Sequence, residues 1–297
     1  MYNIVKVPNK VMRKLIYCYR KNMHGCHFGE HGMLEHRVVG SVFTWRKGPI
    51  RNGGRAGRLP RAKGCLTMDD LSMCAYRAAS ARAACEDDQS RADLALDVAV
   101  AGEPLAALGD PAILGGGAHE PTPTPYWILD DLLGGLSFEQ TDHLLDVGCG
   151  AGRVLAYAAA TQLPCRVTGV ELDGRLAARA ASWTRGRDGL EVIAGSALDI
   201  PLGAYTHFYL FNPFDQVLLV EFLDRLEAQV RRSITLVHMS DNGESFAYLG
   251  RAGWIREREG SFYTHPAGGF PVFGYPQHYS IWRYVPDANG AEGAPVV

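Results

Sequence analysis

The chain has 297 residues, 47% of them hydrophobic and 21% charged, with a formal net charge of −2. That much apolar residue builds a sizeable core and excludes a wholly disordered polymer. No apolar run reaches the ~18 residues that cross a bilayer and no secretory leader is visible, so a soluble, cytoplasmic protein is expected.

The charge is unevenly spread. Residues 1–63 hold fourteen Lys or Arg against two acids, Glu30 and Glu35, and every lysine of the chain lies there. The Gly/Arg-rich stretch 47–58 opposes regular structure. Residues 1–67 are therefore expected to be a basic, disordered extension. It is either an arm for nucleic acid or acidic surfaces, or a stretch upstream of a start at Met68. Cys18, His24, Cys26, His27, His31 and His36 cluster there, but their spacing matches no usual zinc pattern, and no metal is expected. Seven cysteines without a CxxC pair point to reduced thiols rather than a disulfide framework.

Residues 69–109, rich in Ala, Leu, Arg and Asp, suit helix and form the main part of a helical lead-in over 68–117. Gly115–Gly117 breaks it. Prolines at alternate positions then force Glu120-Pro121-Thr122-Pro123-Thr124-Pro125-Tyr126 into an extended course, and Trp127–Leu136 reads as a short helix. From His143 strand and helix alternate. Strands are expected at 143–148, 166–171, 190–194, 207–212 and 234–239, and helices at 152–161, 174–185 and 215–231. The last presents Val217, Leu218, Phe222, Leu223, Leu226 and Val230 on one face. Two strand-like runs follow Trp254, the clearer being 279–285, and the tail 287–297 is expected to fray. Strands apolar almost throughout belong to a sheet covered on both faces. The fold class is α/β: a doubly wound, mostly parallel seven-stranded sheet over 118–286 with a C-terminal antiparallel hairpin.

In such a sheet ligands sit at the carboxyl ends of the strands, where the strand order reverses. The first turn there is Asp146-Val147-Gly148-Cys149-Gly150-Ala151-Gly152-Arg153. Its glycines bring backbone N–H groups close to a ligand. Glu171 closes the next strand, where a carboxylate accepts both hydroxyls of a ribose. A nicotinamide dinucleotide fingerprint wants a small residue at its sixth position, which is Arg153 here. Asp146 beside the turn suits a ligand bearing an ammonium group and repels pyrophosphate. An NAD(P)-dependent oxidoreductase and a non-catalytic nucleotide-binding scaffold remain the alternatives.

Leu144–Arg153 resembles the first motif of class I S-adenosylmethionine-dependent methyltransferases, Val167–Asp173 the second, and Ala194–Pro201 the third, with Ser196 where the family commonly has Asp. The resemblance implies S-adenosylmethionine as cofactor. Asp146, Gly148, Cys149, Gly150 and Gly152 would form the turn beside its methionine moiety and ribose, Glu171 and Leu172 the ribose site, and Ser196, Ala197 and Leu198 the adenine site. Residues 119–126 resemble the Thr-Pro segment that closes over the cofactor in non-SET histone-lysine and protein arginine methyltransferases, which implicates Thr124 and Tyr126. With Phe211-Asn212-Pro213-Phe214 they resemble a bacterial group with the same two motifs.

The latter segment is similar to the Asn-Pro-Pro-aromatic motif of methyltransferases acting on amino groups, with one proline missing. There the Asn side chain and a prolyl carbonyl accept hydrogen bonds from the target nitrogen and the aromatic ring stacks on it. By this likeness Asn212, Pro213 and Phe214 carry catalysis, with Asn212 also against the cofactor. The other reading is that Asn212-Pro213 only turns the chain and Phe214 packs in the core. Glu120 is the foremost candidate base, with His119 and Asp215 also candidates by position; His238, near the end of the fifth strand, is a further one but is expected to be structural. Transfer to a nitrogen, less readily an oxygen, of an unidentified acceptor is the expected reaction.

Overall fold

The computed structural model describes residues 35–38, 41–44, 68–106, 117–119, 122–241 and 244–286. The chain divides into two units, Met1–Ala62 and Lys63–Val297. In the first, β1 (Glu35–Val38) and β2 (Ser41–Thr44) pair antiparallel, Glu35 opposite Thr44. A hairpin therefore stands inside the stretch expected to lack regular structure; Val38, Val42, Phe43 and Thr44 are β-branched or aromatic and favour extended backbone. The remainder of the basic stretch, its Cys/His cluster apart from His36, Glu120 and the tail 287–297 lie outside the described residues.

The second unit opens with α1 (Met68–Ser80), α2 (Glu86–Ala101) and α3 (Tyr126–Leu132). Strand and helix then alternate through β3 (His143–Val147), α4 (Arg153–Thr161), β4 (Arg166–Glu171), α5 (Gly174–Thr184) and β5 (Leu190–Ala194). β6 (His207–Phe211), α6 (Gln216–Gln229), β7 (Ile234–Met239), β8 (Trp254–Phe262) and β9 (Gln277–Tyr284) complete it. The sheet order is β5-β4-β3-β6-β7-β9-β8. The first five strands of that row are parallel; β9 runs antiparallel to β7 and β8 antiparallel to β9. This is the expected seven-stranded sheet with its closing hairpin.

The order reverses at β3, whose neighbours are β4 on one side and β6 on the other, so a crevice opens above the carboxyl ends of β3 and β6. Three adjacent strands, β3, β6 and β7, are followed by residues with left-handed backbone: Gly148 (φ 76°), Asn212 (φ 41°) and Ser240 (φ 62°). Two of them carry side chains, an uncommon arrangement outside glycine.

Side chains alternate across the strands and feed two cores. Leu144, Val167, Tyr209 and Val237 join Tyr76 of α1, Leu96 of α2, Leu129 of α3 and Leu155 of α4. Leu145, Phe208, Leu210 and Leu236 join Leu219, Phe222, Leu223 and Leu226 of α6. Val217, expected on the buried face of that helix, is 75% exposed. It lies in the first turn, where Asp215 caps the helix by accepting from Val217 N and Leu218 N.

The lead-in holds two helices, α1 and α2, and it shares the core of the domain. A buried polar network fixes it there. Asp97 of α2, fully buried, accepts from Arg153 Nη2 (2.7 Å) and Nε (3.2 Å), from the Tyr126 hydroxyl (2.7 Å) and from Leu105 N (2.9 Å). Asp93, one turn earlier, accepts from Tyr126 N (3.2 Å) and Gln89 Nε2 (3.1 Å). Burial works against the Arg153 charge, but Asp97 and Asp93 outweigh it and hold the guanidinium ionised. Arg153→Ala strips Asp97 of its counter-charge and is expected to cost about 3–5 kcal/mol of unfolding free energy. Arg77→Ala, which breaks the more exposed Arg77–Asp130 pair, is expected to cost no more than about 1 kcal/mol. Urea denaturation of the two variants measures the contrast.

Candidate active site

The turn after β3 folds back on β4: Gly148 N and Cys149 N both donate to Val170 O, at 2.9 and 3.0 Å. A Cβ on Gly148 would stand 3.0 Å from Pro213 Cβ, so glycine is required there by both its φ and its neighbour. Cys149 is buried, and burial, then the charges of Asp146 and Glu171, push its thiol well up. It contributes packing and backbone rather than a nucleophile. Gly152 (φ 94°) precedes α4, with the Trp183 ring against it and Trp183 Nε1 donating to Ala151 O (2.9 Å).

Two carboxylates flank this turn. Glu171 accepts from Gly150 N (2.7 Å) through Oε2 and from Asp173 N (2.8 Å) through Oε1. Burial nevertheless raises its carboxyl above the usual range. Asp146 is 3% exposed, and its Oδ2 is buried with no hydrogen-bond partner. Burial, then the Glu171 charge, push its carboxyl well above the ordinary range. A buried acceptor without a donor is costly, and an ammonium group seated beside it would complete it. On that observation, and on the glycine cradle, the residues present fit S-adenosylmethionine.

Thr122, Pro123 and Thr124 line the cavity over the turn, with Leu105, Tyr209 and Phe211. Thr124 Oγ1 lies 2.7 Å from the Tyr209 hydroxyl, and Tyr209 pairs in register with Asp146. Tyr126, expected against the cofactor, is instead core: fully buried, its hydroxyl given to Asp97. Past β4 and β5, Leu172 is 45% exposed next to Glu171, while Ala197 is buried. Ser196 Oγ accepts from Leu198 N (3.1 Å), so the residue standing in for the family's Asp closes its own turn. Asp199, three residues on, is exposed.

Past β6 the two proline segments meet. Ala118 bridges Phe214, Asp215 N donates to Gly117 O (2.8 Å), and His119 N donates to Pro213 O (3.1 Å). His119 Nδ1 lies 2.9 Å from Asn212 O. Asn212 Oδ1 is buried and has no partner. Phe214 is core, tilted against Phe222 with centroids 5.7 Å apart, because the left-handed Asn212 sends the chain down into the α6 layer. The rings on the cavity are Phe211 and Tyr209, which share the face of β6 that adjoins Asp146. Strand parity was the signal that would have found both. The Pro213 carbonyl, expected to receive a target nitrogen, already accepts from His119 N.

Two other candidate bases are spent structurally. Asp215 caps α6. His238 is 1% exposed beside the Tyr248 hydroxyl (3.1 Å), and burial holds it down to about 4 and so neutral. Among the described residues no cluster of His, Cys, Asp and Glu forms a metal site, and no helix is long and apolar enough to cross a membrane.

Residues 144–235 match the family model described as a methyltransferase domain. Residues 144–235 thus carry a methyltransferase domain. Among solved structures the domain is similar to an RNA methyltransferase from Salinibacter ruber in complex with S-adenosyl-L-homocysteine, at 20% identity over 59% of this chain and 98% of that one, TM-score 0.40. It is also similar to the N-methyltransferase NodS from Bradyrhizobium japonicum, at 14% identity over 48% of this chain and 78% of that one, TM-score 0.36. No curated protein matches the chain in sequence.

The raised carboxyl of Asp146 makes a signed prediction for the methyltransferase domain. A carboxyl whose folded pKa exceeds its unfolded value stabilises the fold below the unfolded value and loses that contribution as pH rises through the folded one. Asp146→Asn is therefore expected to leave the ligand-free fold as stable as wild type or more so near pH 7, and to flatten the decline of stability with pH. The same variant is expected to abolish the rise in Tm that S-adenosylmethionine gives wild type. Thermal melts from about pH 5 to about pH 8, with and without S-adenosylmethionine, check both.

Proposed function

We propose that the domain methylates a nitrogen, less readily an oxygen, that carries a hydrogen. The observation that supports this reading is the buried, unpartnered Oδ1 of Asn212, one residue past Phe211 on the cavity. A buried acceptor there favours a ligand that donates a hydrogen bond. The likeness of 120–126 and 211–214 to amino-group methyltransferases points the same way.

Bound, S-adenosylmethionine supplies a sulfonium-activated methyl carbon with a neutral leaving group. The chain's own work is then largely positioning, worth up to about 7–11 kcal/mol in well-aligned cases. In this reading Asp146 receives the donor's ammonium group and Glu171, with Leu172, the ribose. Gly148, Cys149, Gly150 and Gly152 line the methionine through their backbone, and Thr124 covers it. Ser196, Ala197 and Leu198 flank the adenine, Ser196 with its hydroxyl hydrogen. Asn212 orients the acceptor nitrogen, and Pro213, packed on Gly148, keeps Asn212 in its left-handed turn. No observation favours the nicotinamide reading: Arg153, where that fingerprint wants a small residue, is committed to Asp97.

Titration with S-adenosylmethionine and, separately, with NAD is expected to show binding of the first alone. Labelled methyl is expected to pass to an acceptor in cell lysate, which mass spectrometry identifies. Asn212→Ala is expected to lower transfer about 10–100-fold, the worth of a hydrogen bond to a nitrogen gaining charge, with S-adenosylmethionine affinity within about threefold of wild type. Binding of NAD in place of S-adenosylmethionine, or no transfer to any acceptor, overturns the reading.

The basic residues 1–63 carry a second, separable proposal, contact with nucleic acid. Deleting them is expected to weaken binding to a labelled duplex and to flatten its dependence on salt.

A further inference from the structure

We propose that His119 is the proton acceptor of the methyl transfer. The inference rests on the reading above, in which the target nitrogen carries a hydrogen and lies against Asn212.

A backbone carbonyl only accepts, so the 2.9 Å contact between His119 Nδ1 and Asn212 O requires the hydrogen to be on Nδ1. A neutral imidazole has one N–H, which leaves the lone pair on Nε2. The ring is also tied at its own backbone, where His119 N donates to Pro213 O at 3.1 Å. His119 is thereby held by two bonds against the residue whose Oδ1 has no partner. Pro213, in turn, packs on Gly148 of the glycine turn. One exposed base and one buried acceptor thus stand together beside the glycine turn, one residue past Phe211 on the cavity. The other candidates do not compete: Asp215 gives its carboxylate to the α6 cap, His238 is sealed beside Tyr248, and Glu120 lies outside the described residues.

The step balances. The lone pair of the acceptor nitrogen forms the new N–C bond while the electron pair of the breaking C–S bond withdraws onto sulfur. Positive charge gathering on that nitrogen acidifies its N–H, the proton passes to His119 Nε2, and the resulting imidazolium, exposed at the surface, returns it to solvent.

The proposal is tested on the full chain in two ways. In nitrogen-15 NMR of the histidine rings, His119, assigned by its absence in His119→Asn, is expected as the Nδ1-protonated neutral tautomer; an Nε2-protonated ring overturns the proposal. For function, His119→Asn keeps a donor toward Asn212 O and takes no proton. It is expected to bind S-adenosylmethionine as wild type does and to lose about 10²–10⁴-fold in methyl transfer to the lysate acceptor. His119→Ala is expected to regain part of its rate on added imidazole. Wild-type rate in His119→Asn, or a loss confined to S-adenosylmethionine affinity, overturns the proposal. Failure of wild type to bind S-adenosylmethionine would instead sink the reading beneath it.

Discussion

The buried pair of Arg153 and Asp97 is the constraint on which the arrangement of this domain depends. A carboxylate removed from water needs its lone pairs filled and its charge met. Asp97 achieves both with a forked guanidinium, a phenol and a backbone N–H. Each donor comes from a different part of the chain. Arg153 opens the helix that follows the glycine turn, Tyr126 opens α3, and Leu105 follows α2. Satisfying one carboxylate therefore sets the lead-in helices, the end of the proline segment and the first helix of the sheet against one another. The pair reaches the site itself through Arg153 Nη1, 3.5 Å from Thr124 O, and through Thr124, whose hydroxyl meets Tyr209.

The sheet separates its tasks by face. On the lead-in side Asp146 and Tyr209 pair across β3 and β6, and Phe211 follows Tyr209 to the cavity. On the α6 side the polar groups at the ends of β7 and β9 are bound up with one another. Asp241, fully buried, takes the Ser280 hydroxyl at 2.5 Å and His278 Nδ1 at 2.5 Å, and Trp282 Nε1 donates to Ser280 Oγ (2.8 Å). That cluster joins the antiparallel hairpin to the last parallel strand. Buried polar atoms near the catalytic edge thus divide into those with partners, which hold the sheet, and those without. Asp146 Oδ2 and Asn212 Oδ1 belong to the second group, which is what a binding surface presents.

Much of this was legible in order along the chain. Apolar runs bounded by turns placed β3 through β7 within a residue of their ends, because strands of a sheet covered on both faces are apolar over most of their length. Asp146, Gly148 and Glu171 were readable together because consecutive parallel strands bring their carboxyl ends to one edge. Side-chain destinations were less legible. Phe214 and Tyr126 sit in motif positions that suggest a ligand, yet both are core, one turned inward by a left-handed Asn212 and the other drawn to Asp97. Val217 lies on the apolar stripe of α6 but emerges into solvent, since periodicity says which face a residue shares and not how far the neighbouring layer extends.

By itself the sequence determined the fold class, the glycine turn with its two acids, and the kind of donor they suit, all of which rest on local pattern and on spacing within consecutive βα units. Only the tertiary structure decided what Arg153 is for, since its partner lies on a helix 56 residues away and no local spacing announces a buried counter-charge. It also decided which His, Asp and aromatic residues are taken up by the core and the helix caps. Those assignments depend on which hydrogen bonds each side chain has already spent, a property of packing between distant segments that no single stretch of chain contains.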